Sequence, residues 1–138
     1  MAEVIFLFVS ERKNTMTVAE LLTRIGNEKR SQFTDAQLIL WLNEVESQIC
    51  DYLGMPREDW VVYTNDAESK AKTLLALPPH DDLYLDWIKA KIDFTNEDFD
   101  SYSNQQMQFF ANFHEYKSYA LRKGLRIEEL PAQYSNVW

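Results

Sequence analysis

Scarce punctuation constrains this chain most: three glycines and four prolines stand in 138 residues. Sandwiches of short strands need frequent turns, and turns draw on Gly, Pro, Asn and Asp. A chain this poor in Gly and Pro favours long helices. Hydrophobic residues make up 46% and aromatics 14%, enough apolar mass for a core with some left over for a partner. The length suits one domain, which would bury about two thirds of its unfolded surface.

Helical period then locates the elements. Thr17 and Glu20 form a capping box, and Val18, Leu21, Leu22 and Ile25 follow on one stripe. Gly26 or the polar run 27–30 ends this first helix. Thr34 or Asp35 opens a second, whose Leu38, Trp41, Leu42, Val45, Ile49, Tyr52 and Leu53 keep helical period up to Gly54. That glycine suits a left-handed cap, and Pro56 blocks continuation. Residues 60–64 are β-branched and aromatic, Asn65-Asp66 reads as a turn, and 72–75 is a second short run, so a β-hairpin is expected here. An isolated hairpin is marginal in water and must lie on the helices or on a neighbouring subunit.

Beyond Pro78-Pro79, His80-Asp81-Asp82 opens a third helix, with the aspartates in a capping role. In it Leu83, Tyr84, Leu85, Trp87, Ile88, Ala90, Ile92 and Phe94 leave only Asp86, Lys89, Lys91 and Asp93 polar. Such a helix must be covered all round, by its own domain or by another chain. A fourth helix starts near Asn96, with Glu97, Asp98 and Asp100 at the positive end of its dipole and Arg122 and Lys123 at the negative end, and runs to about Gly124. The expected fold class is mainly α, about four helices in a small bundle with a β-hairpin inserted between the second and third. The domain spans 16–126, between an N-terminal arm (1–15) and a C-terminal tail (127–138) in which Tyr134 and Trp138 offer anchors.

In the fourth helix Phe99, Tyr102, Gln106, Phe109, Phe113, Tyr116 and Ala120 alternate spacings of three and four, a heptad-like seam. Most of these positions read as core. Met107, Phe110 and Tyr119 lie outside the seam and widen the apolar face beyond the needs of one small domain, which marks a partner site. The candidate subunit-interface residues are Tyr84, Trp87, Phe94, Tyr102, Phe109, Phe110 and Phe113.

Charge and chemistry narrow the function. The formal charge is −8, from 22 acidic and 14 basic residues, which argues against a broad basic face for phosphate backbones and against sequence-specific nucleic-acid binding. Solubility is the plainer reading of the excess, and a surface that DNA passes without sticking is the functional one. The apolar run 4–9 is shorter than the ~20 residues of a bilayer span, and it lacks the flanks of a signal peptide, so neither membrane insertion nor export is expected. Cys50 is the only cysteine, so an intrachain disulfide and a cysteine zinc site are both excluded, and a cytoplasmic setting fits. His114 has no second histidine four residues away, His80 sits at a helix start, and no glycine-rich phosphate loop exists. Neither a catalytic constellation nor a cofactor or metal site is read, and the expected mode of action is protein binding.

From Met16 to about Arg126 the chain resembles the head-to-tail connector (head-completion adaptor) proteins of tailed phages and prophages. One likeness lies in Phe33-Thr34-Asp35 and Trp41-Leu42-Asn43-Glu44-Val45-Glu46, similar to that family's acidic helix with a Trp-Leu-x-Glu core. A more specific one runs from Leu74-Leu75-Ala76-Leu77-Pro78-Pro79-His80-Asp81-Asp82-Leu83-Tyr84 through Ala90-Lys91-Ile92-Asp93 and Asn96-Glu97 to Tyr102-Ser103-Asn104 and Phe110-Ala111-Asn112. The chain departs from the family at Pro79-His80-Asp81, where Pro-Tyr-Asp is usual, and at Ser103-Asn104, where paired asparagines are common. The resemblance implies a virion protein, made in the host bacterial cytoplasm, that forms a ring with copies of itself under the portal and bridges it to the stopper or tail while DNA passes through. The competing reading is a small acidic phage-encoded regulatory or decoy protein that binds a host factor.

Overall fold

The computed structural model describes residues 15–29 and 32–126, so nearly all of the N-terminal arm and the whole C-terminal tail lie outside the described residues. Five helices make up the domain: α1 Val18–Glu28, α2 Asp35–Tyr52, the single turn α3 Ala67–Lys70, α4 Asp82–Thr95 and α5 Phe99–Lys123, with a 3-10 turn at Arg57–Asp59. The mainly helical class is as expected, and the four long helices are those read from sequence.

Their ends follow from local chemistry. At Thr17 the hydroxyl accepts from the Glu20 amide at 3.2 Å while Glu20 Oε1 accepts from the Thr17 amide at 2.9 Å, a complete capping box that satisfies two first-turn donors. Gly26 stays within α1, which ends only at Glu28 in the polar run. Thr34 caps α2 by accepting from Gln37 N. At the far end Gly54 takes φ 78°, so Met55 N reaches Cys50 O (3.1 Å) and Gly54 N reaches Asp51 O (3.1 Å). Gly124, at φ 69°, closes α5 in the same way through Leu125 N to Ala120 O. Both are left-handed turns that satisfy last-turn carbonyls, and the missing Cβ makes them cheap for glycine.

Helix α4 is the centre of the packing. It lies against α1 and α2 and forms a hairpin with α5, and Leu83, Tyr84, Leu85, Ile88, Ala90 and Ile92 are all buried. Most of its apolar residues are thus covered within its own domain, while Trp87 is half-buried and Phe94 exposed. The hairpin turn is tight: Asn96, Glu97 and Asp98 donate their amides to Ile92, Phe94 and Asp93 carbonyls, and Asp98, not Asn96, caps α5 by accepting from Ser101 N. Asp93, 1% exposed, pins the turn with its carboxylate, which accepts from Ser101 Oγ at 2.6 Å and pairs with Lys29 Nζ at 2.5 Å. A row of ion pairs continues along the α1–α4 face, with Lys89 to Glu28 at 2.6 Å and Arg24 to Asp82 at 3.3 Å. The Asp81 side chain forms no cap; it faces Arg24 at 3.6 Å instead.

The expected β-hairpin is not there. Two competing partners prevent it. The Tyr63 backbone is bound on both sides by the Asn43 amide of α2, with Tyr63 N donating to Oδ1 at 2.8 Å and Nδ2 donating to Tyr63 O at 3.0 Å. One side chain thereby takes the place of a partner strand. The second apolar run pairs elsewhere, through Val18 N to Lys72 O and Leu74 N to Met16 O, an isolated antiparallel bridge at Thr17–Thr73. Asn65-Asp66 is not a hairpin turn but the cap of α3: Asp66 accepts from Ser69 N at 2.7 Å and from the Thr64 hydroxyl, and Ser69 Oγ accepts from Thr64 N. The connection between α2 and α4 is therefore a strap laid over the helices.

Neighbouring residues of α5 separate core from surface. Phe109 is 1% exposed and Phe110 59%. Phe109→Ala is expected to destabilise the domain by about 3–5 kcal/mol, the usual cost of emptying an aromatic core site, and Phe110→Ala by less than about 0.5 kcal/mol. Denaturant unfolding at low protein concentration checks the contrast.

Candidate interaction surface and the buried carboxylate

The strap is fastened at one group. Glu46, fully buried on α2, accepts from Tyr63 OH at Oε2 (2.6 Å), from Tyr84 OH at Oε1 (2.6 Å) and from Leu75 N at Oε2 (3.1 Å). Tyr84 OH in turn accepts from Ala76 N at 2.7 Å, so its single proton goes to Glu46. Three donors from the strap and α4 converge on one carboxyl. Burial pushes that carboxyl above the ordinary range, against the pull of the two tyrosine hydroxyls and the Leu75 amide. The same burial, with the Glu46 charge beside it, raises the Tyr84 hydroxyl far out of the titrating range. Both tyrosines are buried, and the arrangement works as a structural clasp.

Of the other titratable groups, Cys50 is buried, with its thiol raised chiefly by desolvation, the opposite of an activated nucleophile. His80 packs its ring on Tyr119 and Tyr116, with centroids at 4.5 and 5.9 Å, and His114 lies exposed on α5. Asp86 accepts from Asn112 Nδ2 at 2.5 Å and its carboxyl is raised by burial. A hollow of about 470 Å³ between the start of α1 and Pro78 is lined by Met16, Ala19, Thr23, Arg24 and Asp81 among others. Among the described residues no group of three or more His, Cys, Asp or Glu is placed to hold a metal ion, and no described helix is long and apolar enough to cross a membrane.

The seven interface candidates divide by position. Tyr84, Phe109 and Phe113 are core residues, spent on the clasp and on the α4–α5 seam. Trp87 is half-buried at the edge of that seam, its ring 5.0 Å from Phe109, with Lys91 Nζ over its face and its indole N–H without a hydrogen-bond partner. Phe94 is 54% exposed and stacks edge-on against Phe99 and Tyr102 at the hairpin tip. Phe110 projects from mid-helix. Sequence reasoning placed Phe99 in the seam, and the structure exposes it; Leu121, also exposed, was passed over because a single leucine on a charged turn carries no periodic signal of its own. Phe94, Phe99, Met107, Phe110 and Leu121 are each more than half exposed. All five lie on the α4–α5 hairpin.

Comparison with known protein families, with curated proteins and with solved structures finds no match to this chain.

Glu46→Gln keeps the shape but turns an amide N–H₂ toward the Tyr63 hydroxyl or the Leu75 amide, and is expected to cost about 1–3 kcal/mol. The pH sign is fixed by the raised carboxyl: between its ordinary value and its folded value the native chain holds a proton that the unfolded chain has released. Stability from this group therefore falls as pH rises through that window. The melting-temperature gap between wild type and Glu46→Gln should be widest at and below about pH 4, under the ordinary glutamate value, and narrow as pH rises; a gap that widened with pH would show that burial does not dominate at Glu46.

Proposed function

We propose that this chain is a structural subunit of a tailed-phage or prophage particle, a head-to-tail connector that assembles on the portal and bridges capsid to tail. The observation that carries this reading is the large apolar surface on a braced two-helix arm, beside titratable groups that are either satisfied or inert. Five large apolar side chains standing in water on one hairpin are an interaction surface. The residues that resemble connector proteins lie in the elements that build it: Leu74 to Tyr84 enters α4 and supplies the clasp, Ala90 to Asp93 leads to the tip, and Tyr102 to Asn112 is α5 itself. A closed ring is made by heterologous contacts between copies, and the exposed hairpin supplies one side of such a contact. The acidic excess suits a channel that conducts DNA.

Particle imaging of the purified chain with and without its portal tests the proposal. The expected result is rings, or added density on the portal vertex that is lost in a Phe94→Asp/Phe110→Asp variant with unchanged melting. A portal that stays bare, together with tight one-to-one capture of a host DNA-binding protein, would replace the connector with the decoy reading.

A further inference from the structure

A flank of α5, about a quarter turn round from the seam that packs on α4, carries a second apolar stripe. Phe110 lies midway between Phe99 and Leu121, eleven positions from each, which is close to three helical turns and sets the three side chains in line. Met107 stands one turn before Phe110 on the same side. The four are 52%, 59%, 61% and 70% exposed for Phe99, Phe110, Leu121 and Met107. From Phe99 to Leu121 the stripe runs nearly the whole helix, about 33 Å at 1.5 Å per residue.

The charges that flank it are sorted by end. Glu97, Asp98 and Asp100 sit at the N-terminal end, and Arg122 and Lys123 at the C-terminal end. Asp98 is engaged as the cap, whereas Glu97, Asp100, Arg122 and Lys123 have no ion-pair partner among the described residues, unlike the paired charges along α1 and α4. Turning a second α5 end over end about Phe110 brings Phe99 against Leu121 and sets Glu97 and Asp100 across from Arg122 and Lys123 at both ends. A parallel pairing would put acid against acid and base against base. The helix dipoles favour the same antiparallel choice.

We infer that the free chain pairs with a second copy of itself through the second stripe of α5, antiparallel and two-fold, with Phe110 at the axis. This is an isologous contact, in which one patch serves both partners, and it rests on α5 alone, whatever the protein assembles with later. One helix face falls at the small end of specific interfaces, so the pair is weak and reversible, and it covers the stripe until a larger partner takes its place.

Sedimentation of the full chain from about 1 µM to about 1 mM tests it, a range that spans weak association. Wild type should pass from monomer to dimer, and Phe110→Asp should raise the dissociation constant at least tenfold with unchanged circular dichroism and melting. The charge register is read by mixing two variants: Glu97→Lys/Asp100→Lys and Arg122→Glu/Lys123→Glu should each dimerise less than wild type alone and pair with one another when mixed. Orientation is read by oxidation of single cysteines: Phe110→Cys should cross-link to itself and Leu121→Cys should not. A wild type that stays monomeric throughout, a Phe110→Asp dimer as tight as wild type, or efficient Leu121→Cys self-cross-linking overturns the inference. None of these outcomes depends on a portal, so its failure is separable from failure of the connector reading.

Discussion

Three parts of the chain are held in one place by the Glu46 carboxyl. Helix α2 carries it, the strap brings Tyr63 and the Leu75 amide to it, and α4 brings Tyr84, whose hydroxyl also takes the Ala76 amide. A carboxyl out of water is costly unless its lone pairs are filled, and here donors fill both oxygens. The cost and its remedy act together: with any one donor withdrawn, the remaining groups are left buried and short of a partner. This makes the clasp an all-or-none device, and it fixes the register of the strap, a segment with little regular structure, against two helices. Asn43, one turn before Glu46 on α2, extends the same logic to the Tyr63 backbone.

With the strap fastened, α4 is covered by α1 and α2 as well as by α5, which holds the hairpin against the rest of the domain. Its tip is locked by Asp93, a buried charge paired with Lys29 and Ser101. Buried ion pairs contribute little net stability but are strongly destabilising when broken, so their effect is to specify one geometry. A surface that must match a partner benefits from that, because ordering costs already met in the free chain are not charged against binding.

Much of this was legible in the sequence wherever the signal is local. The Thr17–Glu20 capping box, the caps at Thr34 and Gly54, the stop at Gly124 and the charge order along α5 all act within a turn or two, and the structure has each of them. The hairpin expectation failed because residues 60–64 do have strand composition, yet what decides between strand and strap is the distant partner. Asn43 and Glu46 read as ordinary polar positions on an acidic helix, and nothing in their spacing says that one binds a backbone and the other is buried. Tyr84, an interface candidate on a helix apolar on nearly every side, is buried in its own domain for the same reason: its hydroxyl finds a buried acceptor thirty-eight positions away. Aromatic count alone overstates the exposed surface, since four of the ten aromatic side chains on α4 and α5, those of Tyr84, Phe109, Phe113 and Tyr116, are buried.

What remains after that subtraction is more informative than the count was. Helix α5 needs one stripe to hold α4, and Phe109, Phe113, Tyr116 and Ala120 supply it. A second stripe of Phe99, Met107, Phe110 and Leu121 keeps a few ring contacts, Phe99 with Phe94 and Phe110 with Phe109, and leaves more than half of each side chain in water, which is unfavourable in the isolated chain. Core packing alone would leave those positions polar, as it does at the exposed Asn104, Gln108 and Glu115 of the same helix. The retained apolar residues share one line, and unpaired charges of opposite sign stand at its two ends, an order that the dipole of α5 also favours. A second exposed stripe beside the packed one is what the proposed pairing of copies requires.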